Sequence, residues 1–330
     1  MVPALVIVIP VFNDWESLLK LLPSLDWILA GTGLNIEVLV VDDASNISLS
    51  SALPREILPE QFNSIKRIDI LELRRNLGHQ RAIAIALAYV EANRQCEAVL
   101  VMDSDGEDKP EDVLKLVETY RHEGGEKVIF ARRVKRSEGL VFRCLYRLYK
   151  NVYQLLTGQE IRIGNFSVIP YPILGRLVAV AEIWNHYAAG LQRAKVPYSE
   201  IPTNRGTRLA GKSQMSLVNL VGHGLSSISV YADVVGTRLL ILTSVILVVV
   251  AIAMIILIAM RLLTIGVPAT PGWVAYIIGL LFTALTQAIM FSIFFIFIVL
   301  SGRNNASFLP CRDYHYFIWK VRSVLPRSSN

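Results

Sequence analysis

Two uncharged apolar runs toward the C-terminal end constrain this chain more than any other feature. Leu239–Met260 is 22 residues without a charge, and no charged residue occurs between Leu262 and Gly302. A helix rises about 1.5 Å per residue and the hydrocarbon core of a bilayer is about 30 Å thick, so roughly 20 apolar residues reach across. Arg238 and Arg261 bracket the first run. Pro271-Gly272-Trp273 introduces the second, Val274–Leu300, and Ser301-Gly302-Arg303 closes it. A soluble core has no need for two such runs back to back. The composition, 53% hydrophobic and 18% charged over 330 residues, is more apolar and less charged than that of soluble domains. A fully soluble enzyme, a disordered chain and a disulfide-stapled secreted domain are excluded. The connecting loop, Leu262–Trp273, has no Lys or Arg, whereas Arg238, Arg303, Arg312, Lys320, Arg322 and Arg327 flank the pair. The positive-inside tendency then places residues 1–236 and the tail on the cytoplasmic side.

The three cysteines, Cys96, Cys144 and Cys311, are scattered and read as free thiols in a reducing compartment. Met1–Phe12 is apolar without a basic leader or a small-residue cleavage site, and reads as a strand rather than a signal peptide. The net charge of +6 suits anionic headgroups and phosphorylated substrates. No nucleic-acid motif accompanies it, and no nucleic acid is expected as a partner.

Residues 1–135 alternate continuous apolar runs with amphipathic stretches. Leu5–Pro10, Ile36–Val41, Ile68–Leu73, Ala98–Met102 and Val128–Ala131 read as strands; Trp15–Ala30, Gln80–Asn93 and Pro110–His122 read as helices. Such alternation predicts an α/β fold with a mainly parallel sheet covered on both faces. Ligands bind such sheets beyond the carboxyl ends of the strands, where Phe12-Asn13-Asp14, Asp42-Asp43 and Asp103-Ser104-Asp105 fall. Beyond residue 135, Phe142–Leu156 interleaves aromatics with Arg143, Arg147 and Lys150, and Ser213–Tyr231 is nearly free of charge. Both suit helices lying at a membrane interface, and both equally suit ordinary core packing.

Asp103-x-Asp105 is the central chemical feature. Two carboxylates on a tight turn can hold a hard divalent cation, which in turn bridges the phosphates of a nucleotide. Glu107 and Asp108 follow, so four of the six residues from Asp103 to Asp108 are acidic, a cluster that repels itself without a cation or a basic partner. Gly206-Thr207-Arg208-Leu209-Ala210-Gly211-Lys212-Ser213 matches the P-loop pattern letter for letter. Its context is wrong, because Val196–Pro202 contains two prolines and makes a poor central strand. The segment reads instead as a basic loop offering Arg205, Arg208 and Lys212 to a phosphate.

Pro10-Val11-Phe12-Asn13-Asp14, Val41-Asp42-Asp43-Ala44-Ser45, Arg75-Asn76-Leu77-Gly78 and Asp103–Glu111, in that order, resemble the family 2 glycosyltransferases of the GT-A fold. With two C-terminal spans the chain is similar to the polyprenyl-phosphate glycosyltransferases, the dolichyl-phosphate mannose synthase and bactoprenol glucosyl transferase type. The resemblance implies a GT-A nucleotide-sugar-binding domain over residues 1–212 and a juxtamembrane amphipathic segment over 213–236. Two transmembrane helices follow within 237–302, at about 239–260 and 274–300, and then a basic cytoplasmic tail, 303–330. It implies that Pro10, Phe12, Asp14 and Asp42 line the base and ribose. Asp103, Asp105 and Glu107 would hold Mg²⁺ or Mn²⁺ on the diphosphate, and Arg205, Arg208 and Lys212 would form the basic loop near a substrate phosphate. The reaction implied is inverting transfer of a sugar from a UDP- or GDP-linked donor to a polyprenyl phosphate. Membrane lipids are expected neighbours, and two spans leave lipid-facing surface for a homo-oligomer.

One segment departs from the pattern. The family's Gly-Asp-Phe-Arg, whose Asp is the usual base candidate, stands here as Gly164-Asn165-Phe166-Ser167. Asn cannot accept a proton, but a phosphomonoester is already largely ionised at neutral pH, its second pKa being about 6, so Asn165 can serve by orienting the acceptor. A hydroxyl acceptor would need another base, such as Glu182 or His186. Two other readings stand beside these: an inactive donor-binding partner of another membrane protein, and a two-span transport component. The spans carry no charged residue to mark a transport pathway.

Overall fold

The computed structural model describes residues 4–47, 62–134, 140–160, 162–211, 217–263, 272–304 and 308–325. They divide into two compact units, one of Met1–Cys144, Ile161–Val230 and Phe308–Asn330, the other of Leu145–Glu160 and Tyr231–Ser307.

The first unit is built on β1 (Leu5–Val11), a run of seven apolar or proline residues buried throughout. It pairs in parallel with β2 (Ile36–Asp42) on one side and β4 (Ala98–Val101) on the other. β3 (Ile65–Leu73) extends the parallel order beyond β2. On the far side of β4 lie β6 (Ser167–Pro170), which is antiparallel, then β5 (Val128–Arg133) and β7 (Tyr198–Thr203). A last strand, β8 (Ile318–Leu325), pairs antiparallel with β3. Among the described residues the sheet thus runs β7-β5-β6-β4-β1-β2-β3-β8. β7, with Pro202, is an edge strand, where a missing N–H costs no ladder bond.

Because strand side chains alternate between faces, β1 feeds two cores. Val6 and Val8 pack under α2 (His79–Asn93), whose alanine-rich face lies flat on the sheet. Leu5, Ile7 and Ile9 pack under α1 (Trp15–Leu29) and α3 (Pro110–His122). α1 buries Trp15, Leu18, Leu21, Leu22, Leu25 and Leu29, the three-to-four spacing of one helical stripe. The tail contributes more than a basic extension, since Ile318–Leu325 completes the sheet and Lys320 and Arg322 both pair with Glu72 of β3.

In the second unit, the later part of α4 (Leu140–Thr157) exposes Leu148, Val152 and Leu155. Its Tyr153 is buried between Tyr149 and Tyr231, with ring centroids 6.1 and 6.5 Å away. The first unit resumes with α5 (Tyr171–Leu177), α6 (Tyr187–Arg193) and α7 (Leu217–Ser229). Two long apolar helices of the second unit follow, α8 (Ala232–Leu263) and α9 (Trp273–Asn304). They pack closely near Gly236, where a β-carbon would lie 2.8 Å from Ile296. Their outward side chains are bare, Ile255 at 65% and Phe291 at 73% exposure, which is untenable for a soluble core helix and ordinary for one in lipid. Both are candidate membrane spans.

Candidate active site

The carboxyl ends of three adjacent strands, β2, β1 and β4, form one edge of the sheet. Asn13 follows β1 with a left-handed backbone, φ 54°, a conformation asparagine tolerates better than most residues. Its Oδ1 accepts the N–H groups of Asn46 and Ile47, and its own N–H donates to Ser45 Oγ. The loops after β1 and β2 are thereby stitched together. Asp42 Oδ1 accepts the Ser45 N–H at 2.9 Å. Buried Asp43 accepts the N–H groups of Leu77 and Gly78 at 2.7 and 2.8 Å. This fastens the loop after β3 to the same edge and delivers the first turn of α2, with His79 and Gln80, into the site. Burial raises the Asp43 carboxyl, and those two bonds offset only part of the rise.

After β4 the chain turns sharply through Gly106, φ 82°, with the Glu107 N–H on Asp105 Oδ1 at 2.9 Å and the Asp103 N–H on Asp108 Oδ2 at 3.1 Å. Cations surround this acidic turn. Arg133 from β5 pairs with Asp108 at 2.9 Å. The basic loop after β7 lies against the turn through the Leu209 N–H on the Asp105 carbonyl (2.9 Å) and the Gly206 N–H on the Glu107 carbonyl (2.8 Å). From there Arg208 bridges Asp14 at 2.5 Å and Asp105 at 3.1 Å. Arg205 grips Glu107 through Nη2 at 2.5 Å and Nε at 2.8 Å. Burial, then the nearby Asp103, push the Asp105 carboxyl up to about 6. The same two causes raise Asp108 to about 7. Burial also opposes ionisation of Asp103, but His79, with its Nε2 at 3.1 Å, and Arg133 outweigh it and hold Asp103 low.

Asn165 lies just before β6, half-exposed. The Tyr187 N–H donates to Gln80 Oε1 (2.7 Å), Gln80 Nε2 donates to Asn165 Oδ1 (3.1 Å), and Asn165 Nδ2 lies 3.0 Å from His79 Nε2. Ser167 Oγ donates to the Asn165 carbonyl and meets the Tyr187 hydroxyl at 2.8 Å.

The structure brings together Asp14, Asp103, Asp105, Glu107, Arg205 and Arg208, with Asn165 joined to them through His79. Phe12 is exposed, Asp42 accepts from its own loop through one carboxylate oxygen, and Pro10 is buried inside β1. Lys212 lies outside the described residues. Sequence reasoning missed His79, Gln80 and Arg133, and named Asp43 only as part of its motif. His79 and Gln80 follow a quoted motif, but the roles of all four depend on partners far along the chain.

A hard cation fits the chemistry of this site. Asp103 and Asp105 offer carboxylate oxygens, and buried Asp103 Oδ1 faces the His79 imidazole at 3.1 Å. Among the described residues no three acidic, His or Cys side chains converge as a ready chelate, so substrate oxygens would complete the shell, as is usual for Mg²⁺.

Residues 6–184, more than half of the chain, match the sequence model of Glycosyl transferase family 2. An uncharacterized glycosyltransferase of Synechocystis, sll0501, is 26% identical over 86% of each chain. YkcC of Bacillus subtilis, also an uncharacterized glycosyltransferase, is 27% identical over 68% of each. The undecaprenyl-phosphate 4-deoxy-4-formamido-L-arabinose transferase of Salmonella paratyphi B is 27% identical over 65% of this chain and 63% of its own. Among solved structures, glucosyl-3-phosphoglycerate synthase of Mycobacterium tuberculosis, in complex with Mn²⁺, UDP-glucose and phosphoglyceric acid, aligns with 71% of this chain and 80% of its own. That alignment has 15% identity and a TM-score of 0.48. With the family model matched over more than half of the chain, including the acidic turn after β4, this chain is a member of glycosyl transferase family 2.

Proposed function

We propose that this glycosyltransferase moves a sugar from a nucleoside-diphosphate donor to a polyprenyl phosphate at the cytoplasmic membrane face, with inversion at the anomeric carbon. The observation that carries this reading is the acidic turn Asp103–Asp108, met by Arg205 and Arg208, in a chain with two candidate membrane spans. Asp103 and Asp105 hold a divalent cation, Mg²⁺ or Mn²⁺, with Glu107 beside them. When bound, that cation offsets charge on the departing diphosphate. Asp14 and Asp42, with exposed Phe12, face the base and ribose. Arg205 and Arg208 turn from carboxylates to substrate phosphates, which guanidinium groups bind in the same forked geometry, and Lys212 of the same loop adds a further cation for a phosphate. An acceptor phosphate oxygen forms the new bond to the anomeric carbon as the bond to the donor diphosphate breaks. The nucleoside diphosphate leaves with the electron pair, and no proton need be removed from an already ionised phosphate.

A hydroxyl acceptor is less well served. Glu182 is engaged by Arg193 at 3.1 Å. His186 uses Nδ1 to accept the Ala189 N–H, and burial pushes its pKa down to about 3, too low for an effective base near neutrality. The cytoplasmic orientation rests on the flanking basic residues. The pairing of β8 with β3 requires the segments before and after the two spans to share a side and leaves the choice of side to those basic residues.

The test is donor consumption by the purified full-length protein in detergent, over a panel of UDP- and GDP-sugars with Mn²⁺, with and without undecaprenyl phosphate. Turnover that needs the lipid phosphate and stops with EDTA is expected. Donor hydrolysis indifferent to the lipid would move the acceptor to a hydroxyl. Nucleotide binding without any turnover would make the chain an inactive partner.

A further inference from the structure

The amide chain behind Asn165 has a fixed polarity. A backbone N–H can only donate, so the Tyr187 N–H obliges Gln80 to face it with its carbonyl. The NH₂ of Gln80 must then face Asn165, which answers with its own carbonyl, Oδ1. The remaining end of Asn165, its NH₂, is therefore turned to His79 and the acidic turn. An unclamped asparagine presents either end of its amide. This one is held with its donor end toward the site, where the Gly-Asp-Phe-Arg segment would put a carboxylate. Gln80 is 8% exposed and Tyr187 is fully buried, so water does not compete freely for these bonds.

We propose that Gln80 is a positioning residue that fixes Asn165 as a hydrogen-bond donor to the oxygens of an anionic acceptor. The inference rests on the polyprenyl-phosphate reading above. It explains how an anion is tolerated beside Asp14, Asp103, Asp105, Glu107 and Asp108: at position 165 it meets two N–H bonds instead of another negative charge. That NH₂ lies 3.0 Å from His79 Nε2, which is itself directed at Asp103 Oδ1, 3.1 Å away. An alcohol acceptor gains less from this arrangement, because hydrogen bonds to a charged oxygen are about twice as strong as neutral ones.

The test is a double-mutant cycle on the full-length protein in detergent, with Mn²⁺ and whichever of UDP or GDP the wild type binds. Geranyl phosphate and geraniol serve as water-soluble probes, titrated by calorimetry. The wild type is expected to prefer the phosphate. Asn165→Leu should weaken geranyl phosphate about tenfold, the scale of one hydrogen bond to a charged group. Gln80→Met should weaken it several-fold, with nucleotide affinity unchanged in both. Because Gln80 acts through Asn165, the double variant should bind no worse than Asn165→Leu alone. Losses that multiply in the double variant, or a Gln80→Met variant that binds geranyl phosphate normally, would overturn the positioning role while leaving the acceptor class intact. A wild type indifferent between phosphate and alcohol would overturn the acceptor reading and this inference together. If Gln80→Met loses nucleotide binding, Gln80→Glu replaces it in the cycle, since it keeps the bond from Tyr187 while its second carboxylate oxygen accepts from the Asn165 NH₂ and turns that donor end away from the site.

Discussion

Asn165 and Ser167 differ together from the Gly-Asp-Phe-Arg pattern: an acid and a base are both replaced by neutral groups, and Ser167 is wholly buried against Tyr187. Restoring only the acid should therefore harm. Asn165→Asp places a carboxylate beside Asp103 with no arginine at 167 to balance it, and is expected to lower turnover at least tenfold; a rise in rate would refute this account. Asp105 carries a second prediction. Its folded carboxyl titrates at about 6 against an ordinary 3.8, so between those values the folded protein holds a proton that the unfolded chain has released. Its contribution to stability is thus present at low pH and withdrawn as pH rises through 6. In metal-free protein, melting temperature should fall across that window by less in Asp105→Asn than in wild type. Mn²⁺ binding should weaken in wild type as pH drops below 6, because the proton and the cation compete. At this scale the acidic pair was legible because four acids in six residues need an external partner. Gln80 was not, because Tyr187 is more than a hundred residues away and no spacing rule connects them.

The loop after β7 is the element whose letters misled and whose context corrected them. Its P-loop spelling is accidental, for it follows an edge strand, as the prolines indicated. What the pattern could not reveal is that its guanidinium groups rest on the very carboxylates proposed to hold the cation. Arg208→Gln is accordingly expected to act with opposite signs. Mn²⁺ alone should bind several-fold more tightly, since Asp14 and Asp105 lose their counter-ion, while Mn²⁺ with nucleotide should bind more weakly, since the diphosphate loses its fork. Equilibrium dialysis with and without nucleotide reads both. The same contact dictates glycine at 106, where φ is 82° and a β-carbon would lie 2.4 Å from Leu209 Cγ. Gly106→Ala should cost about 1–3 kcal/mol, measured as a lower melting temperature and poorer donor binding.

At the scale of the whole molecule, the parallel sheet and the two apolar helices were legible from run length and composition. The return of the chain was not. Ile318–Leu325 alternates Trp, Lys, Val and Arg in a way that also suits a solvated tail, and only pairing with β3 gives it a place. Deleting residues 308–330 should leave the β3 edge bare, and bare edges associate. The truncated protein is expected to elute from size exclusion as aggregate where the full chain is monodisperse. The pairing also sets an order on biosynthesis. β3 leaves the ribosome long before β8, and at roughly 5–20 residues per second the intervening chain takes on the order of tens of seconds to appear. Both apolar helices emerge within that interval. The catalytic half cannot close its last seam until both apolar helices have been made, so the final strand of the sheet is fitted only after the whole of the intervening segment has been synthesised.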